Sequence, residues 1–190
     1  LWSAHTDTVH RKSGRQSLHY DLASGELKLS KRSRKTSDCL GADDTAGCFI
    51  LREMVLAGVP GYYLFHHGEE HGGIGSQALA LQCEEFLKTF QIAIALDRRG
   101  TSDCITHQFG SRCASDTFAW SLALALSAID DTIALLPAHG CYTDTAEYTS
   151  IIPECSNLSV GYAGAHTERE TLDTRFVFRL LDALCQLDTS

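Results

Sequence analysis

Short apolar runs alternate along this chain with stretches whose apolar residues recur at helical spacing. Leu1 to Ala4 reads as a buried strand ending at His5. Between 17 and 30 the period drops to two: Ser17 to Asp21, a turn at Ser24-Gly25, then Glu26 to Leu29, which together predict a β-hairpin. Ala46, Phe49, Ile50 and Met54 place a helix over Asp44 to Ala57, stopped by Gly58 and Pro60. Gly61 to His66 is a second buried strand. A glycine-rich loop, Gly68 to Gly75, leads to a helix beginning at Ser76 to Cys83. Gln91 to Leu96 is a third buried strand ending at Asp97, and Cys104 to Gln108 a short further one. Ala114 to Ile129 is a strongly apolar helix and Asn157 to Tyr162 a fourth buried strand. A last helix runs from about Leu172 to Leu187, with Phe176, Leu180, Leu181 and Leu184 on one face. Trp2 and Trp120 are assigned to the core. Strands alternating with helices predict an α/β fold, a three-layer α/β/α sandwich around a mostly parallel sheet.

The chain's 190 residues fit a single domain, and a hydrophobic content of 44% supports a core without disulfides. A charged fraction of 21% excludes a disordered chain. The net charge of −8 excludes a general nucleic-acid binder. The basic run Lys28, Lys31, Arg32, Arg34 and Lys35 reads as a solvated loop. No apolar run is long enough to span a membrane, no signal-peptide pattern is present, and no membrane partner is expected. The eight cysteines include no CxxC pair, which excludes a zinc ribbon or thioredoxin motif. Most lie in apolar stretches such as Cys48-Phe49-Ile50, as reduced, buried thiols of a cytoplasmic protein do. The sequence opens directly on a strand, so upstream elements are expected to be missing from it.

Candidate chemistry collects where an α/β sheet binds ligands, outside the carboxyl ends of its strands. His5 and Asp7 follow the first strand, Glu69 and Glu70 the second; Asp97 ends the third, and His166 lies shortly after the fourth. Asp43 stands just before a helix. Taken singly, a histidine at a strand end is more often structural, an aspartate before a helix more often a cap, and a Glu-Glu pair more often a solvated turn. Their joint occurrence at strand and helix ends raises the metal-binding reading above these.

Five segments carry a family resemblance: Ser3-Ala4-His5-Thr6-Asp7-Thr8-Val9, Gly41-Ala42-Asp43-Asp44-Thr45-Ala46-Gly47, Gly68-Glu69-Glu70-His71-Gly72, Ala95-Leu96-Asp97 and Gly164-Ala165-His166-Thr167. In order, they resemble the metal-site motifs of the co-catalytic zinc exopeptidases, peptidase clan MH. That group includes leucyl and tripeptide aminopeptidases, glutamate-releasing carboxypeptidases and related deacylases. The resemblance implies two divalent metal ions, zinc first, with cobalt or manganese able to fill similar nitrogen and oxygen sites. His5 and Asp97 would hold one ion, Glu70 and His166 the other, and Asp43 would bridge them. Asp44 would follow across a peptide bond that is often cis in the group. Glu69 would be the general base and Asp7 would orient His5. Charge bookkeeping agrees. Two Zn²⁺ are balanced by Asp43, Glu70, Asp97 and one bridging hydroxide. Glu69, adjacent to Glu70, reaches the water between the ions more easily than it reaches an ion itself.

Several neighbours are open to two readings. His66, His67 and His71 crowd the Glu69-Glu70 loop as structural, exposed or substrate-touching residues. Arg98 and Arg99 follow Asp97, either in surface pairs or facing a substrate carboxylate. Tyr142 and Asp144 lie where relatives place groups that stabilise the tetrahedral intermediate or line the specificity pocket. Many relatives insert a lid or dimerisation domain between the Asp97 position and the last histidine. Here residues 98 to 165 read as more of the same sheet. The expectation is one catalytic metallopeptidase domain over 1–190, with an open site whose oxyanion stabilisation comes from the metals and local groups. An aspartate rather than a glutamate at 97 is similar to the aminopeptidase members. The substrate expected is a peptide, or an acylated amino acid in the alternative carboxypeptidase or N-acyl amino acid deacylase reading. A non-catalytic metal-stabilised binding module is disfavoured by Glu69, and an anionic partner on 28–35 is a last alternative. No feature fixes an oligomeric state.

Overall fold

The strand predicted at the amino terminus proves to be an inner strand of the main sheet, buried at all four positions. A computed structural model describes residues 1–188. In chain order its elements are β1 (Trp2–His5), β2 (Leu18–Asp21), β3 (Glu26–Leu29), α1 (Ala42–Leu56), β4 (Tyr63–His66), α2 (Ile74–Gln82), α3 (Glu84–Leu87), β5 (Ile92–Arg98), β6 (Asp103–Gln108), β7 (Ser111–Arg112), α4 (Asp116–Ile129), β8 (Leu136–Gly140), β9 (Glu154–Ser159), β10 (Tyr162–Ala163), β11 (Thr171–Asp173) and α5 (Thr174–Gln186). Among the described residues, the main sheet has seven strands in the order β4-β1-β5-β9-β6-β7, with β8 also on β6. Strands β4, β1, β5 and β9 are mutually parallel, and β6 runs antiparallel to β9. No described helix is long and apolar enough to cross a membrane.

Alternation along the strands sorts side chains into two apolar layers. Ile94 and Leu96 of β5 and Leu158 of β9 face α1, α4 and α5, where Ile50, Leu126, Phe176 and Leu180 are buried. Ala93 and Cys155 face the other side, against Leu87, Tyr148 and Ile152. The predicted three-layer sandwich is therefore the observed one. Gly47 sets how closely α1 approaches β5: a Cβ there would fall 2.0 Å from the Leu96 carbonyl oxygen.

A second, four-stranded antiparallel sheet, β10-β11-β3-β2, was only half expected. The predicted hairpin supplies β2 and β3. Its other half comes from segments assigned differently by pattern. Asn157 to Tyr162 is not one strand: β9 ends at Ser159, the chain turns at Gly161 (φ +94°), and Tyr162–Ala163 joins the second sheet. Leu172 likewise belongs to β11, and α5 starts only at Thr174, where the Asp173 carboxylate accepts the Phe176 N–H at 3.0 Å as an N-cap. The second sheet thus clamps both ends of the loop that carries His166. Strand β8 was not anticipated, because Pro137 and Gly140 make Leu136–Gly140 read as a loop. Trp120 is 47% exposed on the outer face of α4, contrary to its assignment to the core.

Candidate active site

His5, at the end of β1, is 1% exposed. Its Nδ1 donates to the Asp7 backbone carbonyl at 3.0 Å, and Nε2 points inward. There Nε2 meets Asp43 Oδ1 at 3.1 Å and Asp97 Oδ1 at 3.6 Å. The other oxygen of Asp43 lies 3.1 Å from His166 Nε2, which is also 2.9 Å from Glu70 Oε1. One carboxylate therefore stands between the two imidazoles, an oxygen to each. Each histidine has a second carboxylate beside it, Asp97 for His5 and Glu70 for His166. The Asp43–Asp44 peptide is cis, as the resemblance implied. His166 itself sits at φ +66°, a backbone region unfavourable to a residue with a side chain.

This arrangement fits metal ions better than it fits bare side chains. The donors are all nitrogen and carboxylate oxygen, the set that suits zinc and its neighbours. Buried Glu70 Oε1 makes no hydrogen bond in good geometry, although His166 Nε2 is only 2.9 Å away. Burial and mutual repulsion raise the carboxyls of Asp44, Glu70 and Asp97. His5 is raised too: burial opposes its charge, and the hydrogen bonds to Asp43 and Asp97 outweigh burial. Such a crowd of negative groups calls for cations. His5, Asp43 and Glu70 offer ligand atoms within 4.8 Å of one another, as do His5, Asp44 and Asp97. Asp44, however, is already engaged: its oxygens accept the His5 N–H at 3.1 Å and the Gly47 N–H at 3.0 Å. It caps the regular part of α1 and ties that helix to β1.

No family profile and no curated protein sequence matches the chain. Solved structures do. Aminopeptidase PepT from Bacillus cereus superposes with a TM-score of 0.71 at 15% identity, over 97% of this chain and 79% of that one. A tripeptidase from Staphylococcus aureus gives 0.70 at 13% identity, over 97% and 78%. The Pyrococcus horikoshii TET1 peptidase gives 0.64 at 18% identity, over 91% of this chain but only 53% of that one. This is the fold of the clan MH metallopeptidases.

On that fold, the residues around the clustered side chains show how each is held. Asp7 does so differently from the expectation. Its carboxylate lies 3.6 Å from His5 Nδ1 and instead accepts three backbone N–H groups, Gly68 at 2.8 Å and Glu69 and Glu70 at 3.2 Å. Burial opposes its ionisation, but the His5 charge and those N–H groups outweigh it and hold Asp7 below the usual range. Asp7 thus fixes the Glu69-Glu70 loop with its side chain and His5 with its main chain. Asn157 fills the irregularity between β5 and β9: its amide accepts the Asp97 N–H and donates to the Asp97 carbonyl, both at 2.9 Å. The Asp97 carboxylate is further held by the Thr143 hydroxyl at 2.7 Å and the Tyr162 hydroxyl at 3.2 Å.

Glu170 escaped the sequence reading. It is 0% exposed, and its two oxygens accept the N–H of Gly41 at 2.8 Å and of Asp43 at 2.9 Å. The only signal was an acidic residue just before an alternating strand, four positions past His166. Glu170→Ala leaves two buried N–H groups unpaired next to Asp43. Expected are a stability loss of about 2–4 kcal/mol, at about 1–3 kcal/mol per orphaned group, and a metal affinity about 10–100-fold weaker. Denaturant unfolding and zinc titration check both.

Of the three histidines near the loop, His66 is structural. It is 6% exposed and paired at 2.7 Å with the Tyr148 hydroxyl. Burial pushes it down to about 4, so at neutral pH it is uncharged and its Nε2 shares one hydrogen bond with that hydroxyl. Tyr148→Phe strands that nitrogen, and a loss of about 1–3 kcal/mol in unfolding free energy is expected. His67 is exposed; His71, 73% exposed, lies 3.8 Å from Asp7.

Glu69 opens on a cleft of about 330 Å³, lined also by Asp43, Asp97, Arg99, Tyr142 and His166. Burial first, then the Asp97 charge, pushes Glu69 up to about 8. Tyr142 reaches the cleft because Gly73 lacks a side chain: a Cβ there would fall 1.8 Å from its hydroxyl, which donates to Glu147 at 2.9 Å. Asp144 does not line the cleft. It is 1% exposed, pushed up to about 7 by burial, and neither oxygen has a donor in hydrogen-bonding geometry. The nearby Ser76 hydroxyl donates to the Gly73 carbonyl at 3.1 Å.

Proposed function

We propose that this chain is a two-metal peptidase, and an aminopeptidase in particular. His5 and Asp97 would hold one divalent ion, Glu70 and His166 the other, with Asp43 between them; zinc suits the donors best. The observation that carries the reading is the Asp43 carboxylate, with one oxygen 3.1 Å from each histidine and Glu69 beside it on the same cleft. When bound, two such ions would supply Lewis acidity and lower the pKa of water at the site. The protein's own share is proton transfer and positioning. Glu69, adjacent to Glu70 and with its pKa raised toward neutral, takes a proton from the attacking water and returns it to the departing amine. The Asp7 carboxylate holds the Glu69 backbone N–H at 3.2 Å, which fixes where that carboxylate works. Thr143, Tyr162 and Asn157 keep Asp97 turned toward His5. All eight cysteines are free, which suits the reducing cytoplasm proposed for it.

Metal analysis together with two substrates tests the proposal. Hydrolysis of an aminoacyl anilide, with about two metal ions per chain, is the expected outcome. Cleavage of an N-acyl amino acid in its place would favour the deacylase alternative, and metal without turnover of either would leave only a binding module.

A further inference from the structure

The cleft is acidic where the metal-site residues sit, yet it also contains two arginines in succession. Arg98 is committed: its Nε donates to Asp103 at 2.9 Å, and it is only 16% exposed. Arg99 is not. It is exposed and lines the same cleft, and no carboxylate lies within ion-pair distance of it among the described residues. Its backbone is nonetheless fixed. Its carbonyl accepts the Ser159 hydroxyl at 2.8 Å, and the next residue, Gly100, donates to the Tyr162 carbonyl at 2.7 Å. A flexible cationic arm thus springs from a rigid base two residues beyond Asp97.

We infer that Arg99 binds the C-terminal carboxylate of the substrate and makes the enzyme selective for short peptides. This inference rests on the peptidase reading above. A short peptide is a zwitterion, and the cleft wall carries both signs, the carboxylates of Asp43, Glu69 and Asp97 and the uncompensated guanidinium of Arg99. A guanidinium fork offers paired N–H donors with the spacing of a carboxylate, which a bare amide cannot match. The volume of about 330 Å³ is at the small end for ligand sites, roughly 300–1,000 Å³. A peptide of two or three residues fits; a longer chain must place its free carboxylate outside and forgo the contact.

The test compares Ala-Ala-Ala with its C-terminal amide on the metal-loaded protein, for the parent, Arg99→Gln and Arg99→Lys. The parent is expected to favour the free acid by about tenfold in kcat/KM, mostly through KM, since one charge-assisted pair is lost with the amide. Arg99→Gln should bring the ratio near one, and Arg99→Lys should leave it in between. A parent with no preference, or an Arg99→Gln variant slowed equally on both peptides, overturns the inference. Calorimetric titration of the same peptides decides the contact without turnover. Tighter binding of the acid by the parent but not by Arg99→Gln supports it. Equal binding of acid and amide by the parent overturns it. Loss of turnover with that binding difference intact counts against the peptidase reading alone.

Discussion

Glu69→Gln is expected to lower kcat on an aminoacyl anilide by about 10²–10⁴-fold, the usual contribution of a positioned acid–base group, with metal content equal to the parent's. The substitution keeps the shape of the side chain and removes only its ability to carry a proton. Glu69 lines the cleft beside Asp43 and Asp97, and burial with the Asp97 charge sets it at about 8 in the bare protein. Bound cations pull it lower, so the acid limb of the parent's pH–rate profile should fall below that value and vanish in the variant. A stability effect follows from the same shift. A carboxyl whose folded pKa is raised from 4.5 to about 8 disfavours the metal-free fold increasingly as pH climbs through that window. Metal-free Glu69→Gln should therefore melt higher than the parent at pH 8, and no differently at pH 4. Parent-like turnover by the variant would remove Glu69 from the mechanism.

The main sheet and the side chains at its carboxyl edge were legible because both follow from local rules. Buried parallel strands must be continuously apolar, and ligand-binding residues must stand where those strands stop. His5 and Asp97 obey both, whereas Glu69 and Glu70 follow β4, an edge strand that proves only partly buried, with Phe65 exposed, contrary to its reading as a buried strand. What was not legible depends on contacts distant in sequence. Strands β10 and β11 are two and three residues long, too short for any periodicity, and form only because β3 is already there to pair with them. The support for Asp43 comes from Glu170, on the far side of a 127-residue separation. Asp7 shows a subtler limit. Its spacing from His5 put both on one side of an extended segment, but the three N–H groups of the Glu69-Glu70 turn compete better for the carboxylate than one imidazole does. Trp120 failed for a simpler reason: α4 is apolar nearly all round, so its sequence does not say which face is covered.

Asp43 carries more of the metal-binding reading than any other residue, which makes metal loading the second large effect. Adding zinc to metal-free protein should raise its melting temperature. At a free concentration of 100 times the dissociation constant, a single site contributes about 2.7 kcal/mol. For a chain of this size that corresponds to roughly 5–10 °C, at about 2–4 °C per kcal/mol. Relief of repulsion among Asp43, Glu70 and Asp97, all packed against His5 or His166, gives the shift its physical cause. Asp43→Ala removes the group common to both histidines and leaves each ion short of a ligand, so bound zinc should fall from about two per chain to less than one. The metal-free variant should melt near the metal-free parent, because the carboxylate's repulsion by Glu70 and Asp97 is offset by its contacts with the two histidines. A ligand and a merely structural acid therefore differ in what zinc does for the variant. An Asp43→Ala protein that melts far below the metal-free parent, yet gains as many degrees from zinc as the parent does, would show that the carboxylate holds the fold and not the metal.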